Sequence, residues 1–466
     1  MSYFNFLDAN IYKSPEGTLM ADQTSSSYPL KCIEEYIQNE VYPYYTNTHS
    51  NNKLGKLMVT LIDEAKQIIM KSVNGDCDSY KILFTGSGAT GAINHLIHLI
   101  RNNIHKNTVI FVSSYEHYSN YLPWYHLAKE GVVFEILELT NQGTIDLQHF
   151  REKLQQYKNK GKHIVASISA CSNVTGVLTD TVSVSNLVKE FNGLIFYDYA
   201  ASAPYTKIDM TLADAVFISP HKFPGGMGTP GILIVKKDLI CNAIPYNPGG
   251  GTVKYVDSKG PVYSTEIETK ESGGTPNIIG IIKCGLVFGI KDHFISEIIE
   301  HKLELTKMFQ DKLLNLQKEC PNLIILNPIE NLNRLPIFAI QIKPFKKRLT
   351  QNELDQNSSG LTSFGGAFSE KAYHYNFIIA LLSDLFNITC RGGISCSSVL
   401  AEKLLKKERH LVDKAEFGWV RITLDCIHTN TDLDNIINSL KYICTHAENH
   451  ATEYTFNEST NLYKLI

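Results

Sequence analysis

The chain has 466 residues, 43% of them apolar and 20% charged, with a formal net charge of −3. That length allows two or three domains, and the balance is that of a soluble globular protein. The near-neutral charge gives no electrostatic case for nucleic acid or an acidic membrane surface, and no uncharged apolar run is long enough to span a bilayer.

The start, MSYFNFLDANIYKSPEG, has no basic segment followed by an apolar core, so no secretory signal is expected. Residues 1–75 read as an N-terminal arm with helices. Tyr28-Pro29 opens a periodic segment (Leu30, Ile33, Ile37) that predicts a helix. Residues 42–50 are polar and aromatic without a period and read as a functional loop. A second helix is expected over 57–73, with Leu61, Ala65, Ile68 and Ile69 on one face.

From 76 to 295 strand and helix alternate. Strands are expected over 81–85, 108–113, 132–139, 164–169, 194–197, 215–219 and 231–235, and helices over 89–100, 147–157 and 182–190. This alternation predicts an α/β domain with a mostly parallel sheet covered on both faces, which binds ligands at the carboxyl ends of its strands. An apolar helix is expected over 278–288, followed by a charged amphipathic one to about 316. Residues 296–445 read as a smaller α+β domain, with strands at 324–326, 338–342 and 420–424 and helices at 373–386 and 431–442. The Gly- and Ser-rich stretch 351–371 reads as a loop or lid, and 446–466 as a polar, frayed tail. The ten cysteines are scattered without a CxxC pair. They read as reduced thiols, so a cytoplasmic location is expected.

The most informative stretch is Phe217-Ile-Ser-Pro-His221-Lys222-Phe-Pro-Gly-Gly-Met-Gly-Thr-Pro-Gly231. The nine places after Lys222 hold four glycines and two prolines. A lysine at a strand end, in a pinned loop free of bulky side chains, suits an amine that forms a Schiff base. A surface lysine in a Gly-rich loop is the ordinary alternative. Other polar motifs fall at other strand ends. Gly86-Ser87-Gly88-Ala89-Thr90 combines a glycine turn with a helix start, an anion cradle without a GK[ST] signature. His117 follows the 108–113 strand and could stack on a ring or act as an acid or base. Asn173 follows the 164–169 strand. Asp198 closes a buried run, where a carboxylate needs a partner such as a pyridinium N–H.

Read together, these motifs resemble the class V aminotransferase and cysteine desulfurase family of fold type I pyridoxal-phosphate enzymes. The segments that carry the resemblance are Glu116-His117 through Pro123-Trp124, Ser172-Asn173-Val-Thr-Gly176, Ser219-Pro-His221-Lys222, Gly249-Gly-Gly-Thr252 and Gly273-Gly-Thr275-Pro-Asn277. The resemblance implies a seven-stranded sheet and pyridoxal 5′-phosphate as cofactor. Lys222 would be its Schiff-base lysine, Asp198 the partner of its ring nitrogen, and His117 the residue stacked on its ring. Asn173 would stand near the ring hydroxyl and the substrate carboxylate. Ala89, Thr90, Ser219 and His221 match phosphate-binding positions. Thr275 would reach the phosphate from a neighbouring subunit, which implies a homodimer with shared active sites. Arg421 matches the arginine that clamps the substrate α-carboxylate, and Asn47 and His49 match a segment at the active-site mouth. Two positions depart from the pattern: Ala201 stands where the family has a glutamine, and Ser50 where it has an arginine.

Arg391-Gly-Gly-Ile-Ser-Cys396 resembles the Arg-x-Gly-x-x-Cys segment of group II cysteine desulfurases, the group that includes selenocysteine lyase-like members. The resemblance implies that Cys396 takes the sulfur of substrate cysteine as a persulfide and that alanine leaves, with Arg391 as a nearby positive charge and a sulfur-acceptor protein as a further partner. An aminotransferase would need Lys222, Asp198 and Arg421 but no cysteine. A lyase or epimerase acting on a larger amino acid is a related alternative. A non-catalytic scaffold would not need this set of residues.

Overall fold

The computed structural model describes residues 1–14, 17–331, 333–344, 371–406 and 417–466. The expected lid over 351–371 thus lies, but for its last residue, outside the described residues. In chain order the strands are β1 (Leu19–Met20), β2 (Tyr80–Thr85), β3 (Thr108–Ser113), β4 (Val133–Leu137), β5 (His163–Ser169), β6 (Leu194–Asp198), β7 (Ala215–Ile218) and β8 (Gly231–Lys236). There follow β9 (Val253–Asp257), β10 (Gly260–Tyr263), β11 (Leu323–Ile325), β12 (Ile337–Ile342), β13 (Ile388–Thr389), β14 (Arg391–Gly393), β15 (Trp419–Thr423), β16 (Tyr454–Asn457) and β17 (Leu462–Leu465).

Seven strands form the main sheet in the order β2-β8-β7-β6-β5-β3-β4. β8 runs antiparallel to both its neighbours, and the other pairs are parallel. Every residue of β3 and β7 is buried. Both faces of these strands are covered, which is why they are runs of apolar residues rather than alternating ones. The helix Gly88–Ile100 covers one face, packing Ala92, Ile93, Leu96 and Leu99 against Leu83, Ile110, Phe217 and Leu233. Each such fully buried aliphatic or aromatic side chain contributes roughly 1.5–3 kcal/mol of transfer free energy. Because the central strands are parallel, the segments after β3, β5, β6 and β7 all emerge at one edge.

The two helices expected over 278–316 are one helix, Ile278–Glu319, of 42 residues. Its first half packs on the helix Lys53–Ser72 so closely that a Cβ at Gly285 would lie 2.7 Å from Ala65 Cβ. Its second half places Leu305, Phe309, Leu313 and Leu316 in the core of the second sheet. That sheet is antiparallel, in the order β11-β12-β15-β14.

The N-terminal arm ties the two sheets together. β1 pairs with β13, the Ala21 carbonyl accepts from Thr423 N–H at 2.9 Å, and Ser27 N–H donates to the His221 carbonyl. The segment expected as loop over 42–50 begins with a short helical turn, Tyr42–Tyr44. The expectation of a frayed tail is corrected: β16 and β17 form an antiparallel hairpin. Tyr454 and Tyr463 pack on Phe377 with ring centroids 5.7 and 5.2 Å away, and these aromatics order an otherwise polar segment.

Candidate functional site

β6 ends on Asp198, β7 ends at Ile218, and a single 3-10 turn, Pro220–Lys222, follows. The turn folds back so tightly that a Cβ at Gly226 would lie 1.9 Å from the Pro220 carbonyl oxygen, so the site needs glycine there. A cavity of about 210 Å³ opens at these strand ends. Lys222, Asp198, His117 and Asn173 line it, together with Ala89, Thr90, Ser219, His221, Arg391 and Arg421.

The Lys222 ammonium is pushed down to about 8, chiefly by burial; Arg421 and Arg391 add to the shift, and Asp198 opposes it. Among the described residues, the Asp198 carboxylate accepts one hydrogen bond, from Ala200 N–H at 2.8 Å. Burial raises its carboxyl above the usual range, against the pull of that hydrogen bond and of Lys222. The pair therefore comprises an amine with a substantial neutral fraction near pH 8 and a buried carboxylate with unused acceptor capacity.

His117 is the N-cap of the helix Tyr118–Ala128, a helix the sequence pattern did not show. Its Nδ1 accepts from Ser119 N–H at 3.1 Å and pairs with Ser119 Oγ at 3.0 Å. The cap fixes the ring plane and leaves the proton of the neutral imidazole on Nε2. Burial, with Lys222, Arg391 and Arg421, holds its pKa down to about 4, so the ring is neutral at physiological pH. The preceding residue, Glu116, is buried and accepts from Ser113, Ser169 and Asn120. That network fastens the end of β3 to the end of β5.

The cradle wall is built on the start of the 13-residue helix Gly88–Ile100. Ala89 N–H donates to Ser219 Oγ at 2.8 Å, and Thr90 Oγ1 shares a hydrogen bond with Ser119 Oγ. Gly88 has φ +53°, and a Cβ there would approach Ser219 Oγ to 2.7 Å. Helix-terminal amides with hydroxyls and an imidazole beside them form an anion site.

Arg421 is 2% exposed, and its Nη1 donates to the Asn173 carbonyl at 3.1 Å. Burial lowers its pKa, against the Asp22 carboxylate that it pairs with at 2.6 Å. Asn173 Nδ2 donates to the Ser395 carbonyl at 2.9 Å, while its Oδ1 is buried without a partner among the described residues. Ser395 lines the cavity and Cys396 does not. Cys396 is half-buried in the next position, and its carbonyl accepts from Tyr118 N–H at 2.8 Å. Both Ser395 and Cys396 lie in the left-handed region, at φ +52° and +57°. Ala201 lines the cavity. Ser202 has a buried hydroxyl without a partner and does not line it.

Asn47 and His49 do not line this cavity, and neither does Thr275, which is expected to serve the site of a neighbouring subunit. Asn47 Nδ2 donates to Thr275 Oγ1 at 3.0 Å, and His49 N–H donates to Asn47 Oδ1 at 2.8 Å. His49 lines a separate pocket with Gly251 and Gly274. Sequence reasoning missed Ser119, Thr24 and Ser25, which line the cavity, and Asp22. The spacing of Ser119 from His117 was the one available signal; nothing local marks the arm residues. All ten cysteines are free. Among the described residues, no group of His, Cys, Asp and Glu is placed to hold a metal ion, and no helix is long and apolar enough to cross a membrane.

A family model described as aminotransferase class-V matches residues 20–374. A probable cysteine desulfurase of Pyrococcus abyssi is 30% identical over 288 residues, covering 61% of this chain and 68% of that protein. One of Borreliella burgdorferi is 28% identical over 421 residues, covering 88% of this chain and 86% of that protein. Among solved structures, the apo cysteine desulfurase of Thermococcus onnurineus aligns with a TM-score of 0.75 at 20% identity, covering 96% of this chain and 98% of that one. A cysteine desulfurase of Escherichia coli aligns with a TM-score of 0.73 at 19% identity, covering 96% and 99%. At these identities the structural likeness speaks to the fold.

Proposed function

Since the chain belongs to the class-V aminotransferase family of fold type I pyridoxal-phosphate enzymes, we propose that it removes sulfur from L-cysteine, or selenium from L-selenocysteine, and releases L-alanine. The observation that carries this reading is the gathering of Lys222, Asp198, His117, the helix-terminal cradle and Arg421 around one cavity. The residues present fit pyridoxal 5′-phosphate. Ala89, Thr90, Ser219 and His221 would hold its phosphate, and Asp198 its ring nitrogen. The unpartnered Asn173 Oδ1 would accept from its ring hydroxyl, the task the family assigns to the glutamine replaced here by Ala201. When bound, the cofactor supplies an electron sink for charge that develops at the substrate Cα.

The chain's own residues do the rest. Arg421 orients the substrate through its carboxylate. The neutral amine of Lys222 takes the proton from Cα and returns it later. Asp198 would hold a proton on the ring nitrogen. His117 would stack on the ring and, with its proton on Nε2, is a donor there rather than an acceptor. The Cys396 thiolate attacks the substrate sulfur: the C–S bond breaks, an S–S bond forms, and a proton goes to Cβ. L-cysteine and the Cys396 thiol thus become alanine and a persulfide, which passes to a sulfur acceptor. The enzyme works as a homodimer, with Thr275 of one subunit contributing to the site of the other.

One observation favours a second reading, transamination: Cys396 does not line the cavity, and transamination does not require it. The test is incubation with L-cysteine and a thiol reductant, with sulfide and alanine quantified and Cys396→Ala alongside. Both products from the native protein and neither from the variant are expected. Neither product from the native protein would overturn desulfuration, and transamination would then be tested with amino donors and keto acids.

A further inference from the structure

The arginine at the substrate wall already holds a carboxylate of this chain. Arg421 Nη2 donates to Asp22 Oδ1 at 2.6 Å and to Ser25 Oγ at 2.8 Å. A guanidinium offers a carboxylate two parallel N–H pairs, one from Nε and Nη2 and one from Nη1 and Nη2. Nη2 belongs to both pairs. Asp22 and Ser25 both accept from it, and Nη1 donates to the Asn173 carbonyl at 3.1 Å, so neither pair is open to an incoming carboxylate. Nε, by contrast, is buried without a partner among the described residues. A buried N–H without an acceptor is costly, so this donor is suited to a group that the described residues do not supply.

Charge at this point is unbalanced. Arg391 stands directly across from Arg421 in the β14–β15 register and donates to Ser25 Oγ at 2.9 Å. Facing like charges disfavour each other, and the carboxylate paired with Arg421 is Asp22. The backbone around Asp22 is held: Ala21 N–H donates to the Thr389 carbonyl at 2.7 Å, and Ser25 N–H to the Asp22 carbonyl at 3.0 Å. An exchange of carboxylates on Arg421 is therefore a rotation of the Asp22 side chain, which is 20% exposed, with Arg391 as a second cation to receive it.

Resting on the reading of Arg421 as the substrate's carboxylate partner, we propose that Asp22 is a specificity-determining residue, an internal competitor that a substrate carboxylate must displace from Nη2 of Arg421. Ser25 is a second acceptor on the same Nη2. Binding of a carboxylate is then an exchange of one anion for another, which weakens simple monocarboxylates and favours ligands anchored elsewhere in the cavity as well.

The test titrates the purified full chain with propionate and with propionamide, read by ligand-detected NMR, for the native protein, Asp22→Asn and Ser25→Ala. Asp22→Asn keeps the size of the side chain and removes its charge. Propionate should bind this variant about tenfold more tightly, with propionamide unchanged, because a charge-assisted competitor has been lost. Ser25→Ala removes one of the two acceptors on Nη2 without touching the ion pair and should tighten propionate in the same direction, so it decides the matter if Asp22→Asn does not fold. In turnover, KM of Asp22→Asn should fall by more than kcat changes. Propionate binding that is unchanged or weaker in both variants, at unchanged melting temperature, would overturn the proposal. So would equal tightening of propionate and propionamide. The propionate comparison reads Arg421 whether or not the protein desulfurates cysteine, so failure of either claim is seen separately.

Discussion

Glu116→Gln tests how the site is held. Glu116 is 3% exposed and precedes His117, tying β3 to β5 through Ser113, Ser169 and Asn120. Burial raises its carboxyl from 4.5 to about 7, although each of those hydrogen bonds acts to lower it. A carboxyl whose folded pKa is raised keeps its proton in the folded protein over a range where the unfolded chain has lost it. Its stabilising contribution is therefore full below about 4.5 and is lost as pH rises through about 7. Taking the two pKa values together, the wild type should lose about 2.5 kcal/mol from this group between pH 5 and pH 8. The glutamine of the variant cannot titrate, so Glu116→Gln should lack that slope. The assay is urea unfolding of both proteins at pH 5 and pH 8, compared as a difference of differences. Equal slopes would refute the assignment of a protonated, cross-linking Glu116.

The Lys222 amine, held down to about 8, should be acylated with a half-maximal rate near pH 8, whereas exposed lysines respond near their ordinary 10.5; peptide mapping of a labelling series reads this. Asp198→Asn should lower turnover by about a hundredfold or more, as loss of a charge aimed at the reacting group does. It should also move the Lys222 midpoint below 8, since the Asp198 charge is what raises it. Cys396→Gly should abolish sulfide release while raising stability by about 1 kcal/mol, because a left-handed residue at φ +57° costs roughly that much when it carries a Cβ. Activity assayed beside denaturant melts checks both halves.

The sheet strands were readable because their burial is encoded locally. The run 108–113 is β3 end for end, and the other main-sheet strands shift by a residue or two. The cavity residues were readable for a related reason: parallel strands deliver their C-terminal residues to one edge, so Lys222, Asp198, Asn173 and His117 could be placed together from strand ends alone. Other features had no local sign. The helix Tyr118–Ala128 contains Pro123 and has a weak apolar face, which hid it. The long helix Ile278–Glu319 changes polarity midway because its two halves serve different cores, and that change read as a boundary. The contact between Asp22 and Arg421 spans 399 residues. No window of sequence shows such a pair, and only the course of the arm between the sheets brings it about.

The central claim is that Lys222 carries the cofactor. The direct measurement is to load the protein with pyridoxal 5′-phosphate, reduce it with borohydride, digest it and locate the stable adduct by mass spectrometry. An adduct on the peptide containing Lys222, absent from Lys222→Ala, is the expected result. An adduct on another lysine, such as the buried Lys291, or no adduct at all, would contradict it.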